Sequence, residues 1–371
     1  MALKFLQGVA RPLRNITFIV LVFFVAPVFA LPVMGIYNAQ VAIEDQSERQ
    51  VLNAQKMGFS KVLIKATGQA DSVKNPVIRA ALKNAQSYVQ QFSFTTKLNK
   101  GKSQAVIELA FDKLKVNQLV IDAGLPIWGA ERAAVLVWLV EDTKGFRQII
   151  NDDDHKVMAQ IRTQADDRGM PILWPLLDID DQLAIQVGDL WGLFAEPIKS
   201  ASNRYKADAI LVGRIFQDTQ GLWQARWSFW LDDIEQQWSS QTFELDALAD
   251  SVSDRLTSGL VAKFALSTSV KNLDDTALET VILKVDEVVQ FEDYVELREM
   301  LQGLSGIQRV QLYSASGRTL EFKLYTQSNL AKIKSIVDLK RRLKLVGRSD
   351  GDQSMDVQGG DSRLIWHYQW R

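Results

Sequence analysis

The chain of 371 residues has no cysteine and only two histidines, His155 and His367. Without thiols it has no disulfide, no cysteine nucleophile and no thiolate metal site. Two histidines so far apart leave a Ser/His/Asp triad or a two-histidine zinc site dependent on tertiary coincidence. A glycine-rich phosphate loop is also missing, since Gly303-Leu304-Ser305-Gly306 reads as the C-cap of a helix before a strand. Basic excess is absent as well: a formal net charge of −1 argues against a nucleic-acid partner. None of these patterns implies a cofactor or a bound metal.

What is present begins with an address. Lys4, Arg11 and Arg14 form a basic region, residues 16–25 an apolar one, and Val28-Phe29-Ala30 a small-x-small cleavage site. Residues 1–30 are therefore expected to be a signal peptide, with the mature chain in the periplasm of a Gram-negative cell. An export route into an oxidising compartment fits a chain with no thiol to oxidise. The alternative is an uncleaved inner-membrane anchor over residues 16–36, apolar apart from Thr17. Pro27 and Pro32 would break such a helix in its second half. With no cysteine to acylate, the cleavage region excludes a lipoprotein.

Removal of Lys4, Arg11 and Arg14 leaves 40 Lys plus Arg against 44 Asp plus Glu. A mature chain of about 340 residues is too long for one ordinary core and suggests two or three domains. The periodicity predicts the α+β class: two consecutive mixed α/β units, residues 31–129 and 130–266, followed by a ferredoxin-like βαββαβ unit, residues 277–371.

In the first unit, Val51, Phe59, Val62, Leu63 and Ala66 recur at helical spacing. Asn75-Pro76 opens a second helix, with Asn75 as cap. Strands over residues 91–98 and 104–111 are joined by the turn Asn99-Lys100-Gly101. In the second unit, the unbroken apolar run over residues 134–140 reads as a strand covered on both faces. A helix over 155–168, a strand over 171–177, two helices across 183–205 and a strand over 209–215 follow. Along residues 222–231 apolar and polar residues alternate, and an Asp232-Asp233 turn sets Trp227 opposite Trp238. Trp230 then falls on the polar face, where it needs a covering helix or a partner. Polar residues 267–276 read as a linker. In the third unit a helix over 330–343 precedes a Gly/Ser/Asp-rich loop over 347–362 and a closing strand over 364–370.

Several constellations invite a chemical reading. Asp152-Asp153-Asp154, Asp166-Asp167 and Asp178-Ile179-Asp180-Asp181 are acidic clusters. The last begins like a calcium loop, but Leu183 stands where glycine is needed and Asp189 where glutamate is. Asp178 or Asp180 as a helix cap accounts for it more simply. Paired carboxylates are the tools of hydrolases, yet nothing in their spacing selects a pair. The run Lys340-Arg341-Arg342, with Lys344 and Arg348, suits either a solvated helix end or peripheral contact with an anionic membrane. Of the ten tryptophans, Trp128, Trp191 and Trp230 are the surface candidates.

Asn75-Pro76-Val77-Ile78-Arg79, Leu125-Pro126-Ile127-Trp128-Gly129 with Arg132, Gly169-Met170-Pro171, Pro175-Leu176-Leu177-Asp178, Asp189-Leu190-Trp191-Gly192 and the stretch from Arg204 to Arg214 stand in one order. Together with Trp223-Gln224-Ala225-Arg226-Trp227 they make residues 33–266 resemble the family called domain of unknown function 2066, proteobacterial envelope proteins. The middle unit is also similar to the periplasmic domains of the curli-secretion and penicillin-binding-protein-activator group, and to the amino-terminal domain of the Tol propeller protein. The resemblance implies action by contact with other envelope proteins.

The expectation that follows is a non-catalytic periplasmic accessory protein that binds another envelope protein in transport or cell-wall assembly. Its partner-binding residues would be drawn from Trp128, Arg132, Asp178, Trp191, Arg204 and Trp230. The alternative is a binder of a small glycan or lipid ligand, held in a crevice between the first two units near Trp128, Asp178 and Trp191. A carboxylate-dependent hydrolase comes third. At the junction, Arg132 is expected to pair with a carboxylate.

Overall fold

The computed structural model describes residues 35–99, 102–151, 155–266, 278–346, 354–356 and 363–371. The expected signal peptide, the linker over 267–276, Lys100-Gly101 and Asp152-Asp153-Asp154 lie outside the described residues. So does the expected loop over 347–362, apart from 354–356. The class is α+β, built on three sheets that follow one another along the chain.

The first sheet contains β1 (Asn38–Ala42), β2 (Val89–Asn99) and β3 (Lys102–Phe111), antiparallel in the order β1-β3-β2. Helices α1 (Glu48–Thr67), α2 (Pro76–Ala81) and α3 (Lys113–Asp122) cover it. Phe59, Val62, Leu63 and Ala66 of α1 share a core with Val41, Ile107 and Leu109, so the 3.6-residue pattern faces the sheet. Asn75 caps α2 as expected, its Oδ1 accepting the Val77 N–H at 2.9 Å. Helix α1 ends at Gly68, whose φ of 70° is the left-handed stop that glycine tolerates.

The second sheet is built on β4 (Val135–Thr143), β5 (Phe146–Ile149), β6 (Ile172–Leu173), β7 (Ala209–Gln217), β8 (Trp223–Leu231) and β9 (Ile234–Thr242). The order is β5-β4-β7-β8-β9, with β4 parallel to β7 and β6 paired to β4. Helices α4 (Lys156–Arg168) and α8 (Leu245–Phe264) pack on one face. Short helices α6 (Val187–Gly192) and α7 (Ala195–Ser202) pack on the other, and α5 (Ile179–Ala184) lies against α7. Residues 135–140 are all buried, which is why that run shows no alternation. The strand expected over 171–177 shrinks to two residues, because Pro171 and Pro175 carry no N–H for a ladder and bracket it. Trp227 does lie opposite Trp238, the rings stacked at 6.5 Å.

The third sheet contains β10 (Glu279–Asp286), β11 (Ile307–Ser316), β12 (Thr319–Thr326), β13 (Leu343–Leu345), β14 (Ser354–Asp356) and β15 (Arg363–Trp370). Helix α9 (Phe291–Gln302) links β10 to β11, and α10 (Leu330–Asp338) follows β12. The helix expected over 330–343 therefore stops five residues early. The order is β11-β12-β10-β15-β13, and the parallel pairing of β15 with β10 departs from the expected ferredoxin-like unit, whose last strand would run antiparallel to its first. A helical crossover returns the chain in the direction of β12, and β13 does run that way. The chain then reverses, and β15 is inserted between β13 and β10, antiparallel to the former and parallel to the latter.

The three sheets meet around residues 127–132. Ile127 and Leu266 form an isolated antiparallel bridge, with N–H···O distances of 3.0 and 2.9 Å. Leu266 also enters the core of the third sheet. Glu131 meets Lys340 at 3.4 Å, and Arg341 donates to the Lys206 carbonyl at 2.6 Å. Arg342 pairs with Glu296. The basic run is thus tied to the protein's own carboxylates and carbonyls over Lys340, Arg341 and Arg342, rather than forming a solvated helix end.

Candidate functional site

Beyond β6 the chain carries Pro175, turns at Leu177 with φ 51°, and enters α5. Asp178 is the cap: its Oδ1 accepts the Asp181 N–H at 3.0 Å. Three residues on, the fully buried Asp181 carboxylate reaches back and accepts the Leu177 N–H at 2.8 Å. The turn Asn203–Tyr205 after α7 supplies the counter-charges. Arg204 clamps both oxygens of Asp178, at 2.6 and 2.8 Å, and donates to Asp181 at 2.9 Å. Asp180 lies 3.6 Å from the same guanidinium. The Tyr205 hydroxyl donates to Asp181 and accepts the Leu176 N–H at 2.8 Å. Its ring meets Trp138 edge-on at 6.2 Å.

The electrostatics follow from these bonds. The fork from Arg204, aided by backbone N–H groups, holds the Asp178 carboxyl down at about 2, and its guanidinium is raised in turn. Burial, reinforced by the bond to Asp181, pushes the Tyr205 phenol up to about 12. Buried Asp181 is compensated by three donors, the condition under which a buried carboxylate is tolerated. The loop is thereby fixed, and it displays apolar side chains: Leu176, Ile179 and Leu183 are 66, 73 and 79 % exposed. Ile179 and Leu183, four apart on α5, share one helical face.

Of the six residues singled out in the sequence, the structure joins Asp178 with Arg204 and, separately, Trp128 with Arg132. Trp128, Arg132 and Trp230 are buried, at 1, 7 and 4 % exposure, which corrects their assignment to a contact surface. Arg132 stacks on Trp128, 3.9 Å from the ring centroid, and donates to five backbone carbonyls: Lys65, Trp128, Gly129, Arg168 and Gly169. It pairs with no carboxylate among the described residues, because the carboxyl ends of α1 and α4 converge there and present carbonyls instead. Trp230 has its covering helix: Ile198 and Ala201 of α7 share its core. Trp191 on α6 is half-buried and stacks with Arg147 at 4.3 Å and Arg214 at 5.4 Å. No hydrogen bond, ion pair or ring contact among the described residues joins Trp128, Asp178 and Trp191, the residues of the expected crevice.

The two histidines lie apart, His155 at the start of α4 and 3.5 Å from Glu141, His367 on β15 and 2.6 Å from Asp286. Among the described residues no group of three His, Asp or Glu side chains is placed to hold a metal ion, and no helix is long and apolar enough to cross a membrane. Sequence reasoning names Asp181 only within an acidic cluster, gives it no role of its own, and does not single out Tyr205. The spacing Asp178-x-x-Asp181 was the available signal, since the third helical position is where an acidic side chain folds back on the turn before it.

Fold and site thus define an α+β protein with a charge-locked, apolar-tipped loop. The family model that matches is a domain of unknown function (DUF8605), over residues 30–129. This overturns the resemblance to the domain of unknown function 2066 family. None of the curated proteins matches the chain, and the likeness of the middle unit to the curli-secretion, penicillin-binding-protein-activator and Tol proteins has no support. Among solved structures, a formyltetrahydrofolate deformylase from Pseudomonas putida KT2440 aligns at 10 % identity, over 53 % of this chain and 91 % of that one, with a TM-score of 0.18. A score so low carries no argument about fold or activity.

Proposed function

We propose that this chain is a non-catalytic periplasmic interaction protein that binds another envelope protein through the loop and helix at residues 176–183. The observation that carries the reading is the exposure of Ile179 and Leu183 on a helix whose turn is clamped by Asp181, Arg204 and Tyr205. Rigid, exposed apolar side chains on a preorganised frame lose little entropy on association, which favours a contact surface over a ligand pocket. Three aspartates surround one arginine there, so the matching partner surface is apolar with Lys or Arg beside it. The basic, apolar and small-x-small pattern of residues 1–30 supports the periplasmic location.

Photo-cross-linking residues placed at 179 and 183 in living cells test this. The expected result is one envelope-protein adduct from both positions, absent from the exposed Leu114 position and lost with Asp180→Lys. Equal adducts from all three positions, or none from 179 and 183, would overturn it.

A further inference from the structure

A second feature of the middle sheet is independent of that loop. Arg214 of β7 and Arg226 of β8 stand directly opposite each other in the antiparallel register. Like charges in that position repel. Arg147 of β5 approaches from the other side, and the Arg214 guanidinium is held down by burial and by both arginine neighbours. The Arg147 and Arg214 guanidiniums both lie over the Trp191 ring, 4.3 and 5.4 Å from its centroid.

The negative charge present does not balance this cluster. Asp142 pairs with Arg147 at 3.1 Å, the one ion pair that any of the three arginines makes with a described residue. Arg214 spends one donor on the Trp191 carbonyl at 2.7 Å, and its Nε is buried without a partner. Arg226 is exposed and makes no hydrogen bond or ion pair with any described residue. A buried donor left unmade and a cross-strand cation pair are both costs that a folded protein normally avoids.

Both costs vanish if an anion sits between the guanidiniums. We propose that Arg147, Arg214 and Arg226, organised by Trp191, form a binding site for a small oxyanion group, phosphate or carboxylate. The guanidinium fork matches either group with two parallel hydrogen bonds, which a lysine cluster would not. Position agrees with the chemistry: Arg214 lies in the carboxyl-terminal half of β7, which runs parallel to β4, and the carboxyl ends of parallel strands are where open sheets take ligands. Trp191 holds Arg147 and Arg214 in place, so the site is assembled before the ligand arrives.

The test is a thermal and calorimetric titration of the mature protein with inorganic phosphate and with citrate, each against chloride at equal ionic strength. Wild-type protein should show saturable heat and a saturating rise in Tm with one or both anions. Response to phosphate alone assigns a phosphoryl ligand and response to citrate alone a carboxylate, and either supports the site. Arg226→Gln should melt higher than wild type in chloride, because the repulsion is gone, and should lose the anion response. The proposal is overturned if neither anion gives saturable heat. It is equally overturned if wild type and Arg226→Gln rise alike with anion, since excluded salts stabilise any folded protein.

Discussion

Arg132 lies flat on the Trp128 ring and closes two helices at once. Its guanidinium accepts nothing and donates to five carbonyls, including Lys65 in the last turn of α1 and Arg168 at the end of α4. The first and second sheets are therefore joined through one side chain that satisfies helix ends neither could satisfy alone. Burial disfavours its charge, yet the surrounding carbonyl dipoles all point their negative ends at it.

Replacing Arg132 should be among the most damaging single changes in the chain. Arg132→Ala strands several buried carbonyls and should cost about 3 kcal/mol or more. Arg132→Lys keeps the charge but offers one nitrogen in place of a planar fork, and should still cost about 2 kcal/mol. Denaturant unfolding followed by tryptophan fluorescence measures both. A lysine variant as stable as wild type would show that charge alone, and not the fork, makes the joint.

A glycine pair separates steric cost from backbone cost. Gly68 ends α1 at φ 70°, and a Cβ there would lie 2.5 Å from both the Trp128 ring and Val261. Gly124 has a similar φ of 68° with nothing within 4 Å. Gly124→Ala should cost about 1–2 kcal/mol, the left-handed penalty alone. Gly68→Ala adds overpacking and should cost about 3 kcal/mol or more. Equal destabilisation would mean that the Trp128 ring shifts freely, contrary to its burial.

Sequence pattern reached the elements more surely than the site. The burial of β4 on both faces, the Asn75 cap and the Trp227–Trp238 register follow from local rules of periodicity and turn length, and all are present. The roles of Trp128 and Arg132 were not legible, because a tryptophan or arginine near a turn looks the same whether it faces solvent or two helix ends. Trp230 shows the limit most plainly. Alternation placed it correctly on the second face of the sheet, but whether α7 or a partner covers that face is decided by tertiary packing. The parallel pairing of β15 with β10 was hidden for a similar reason: a short strand, β13, replaces the end of the expected helix and reverses the chain.

The stacked pair Trp227 and Trp238 should show a measurable coupling. Trp227 is fully buried and donates from Nε1 to Ser240 at 2.8 Å, while Trp238 is also overlaid by Arg255 at 4.9 Å. A double-mutant cycle with leucine at each position should give an interaction energy of about 0.5–1.5 kcal/mol. Additive losses would place the stabilisation in burial alone.

The clamp on α5 makes opposite predictions at the two ends of the pH scale. Asp178 has its folded pKa lowered, to about 2 from 3.8, by the Arg204 fork. The unfolded chain therefore binds the proton first as pH falls, so the contribution of the pair is complete above about pH 4 and disappears as pH drops through about 2. Tyr205 has its folded pKa raised, to about 12 from 10.0, by burial and then by its bond to Asp181. There the unfolded chain loses its proton first, so the contribution is complete below about pH 10 and is lost as pH climbs through about 12. Melting temperatures of wild type, Arg204→Met and Tyr205→Phe across pH 2.5 to 11 read out both effects. The gap between wild type and Arg204→Met should stay constant from neutral pH down to about 4 and then narrow; the gap to Tyr205→Phe should be flat through neutral pH and narrow only above about 10. A Tyr205→Phe gap that closes between pH 4 and 6 would instead place the titrating group on the acidic partner, and the hydroxyl would lose its role as the clamp's donor.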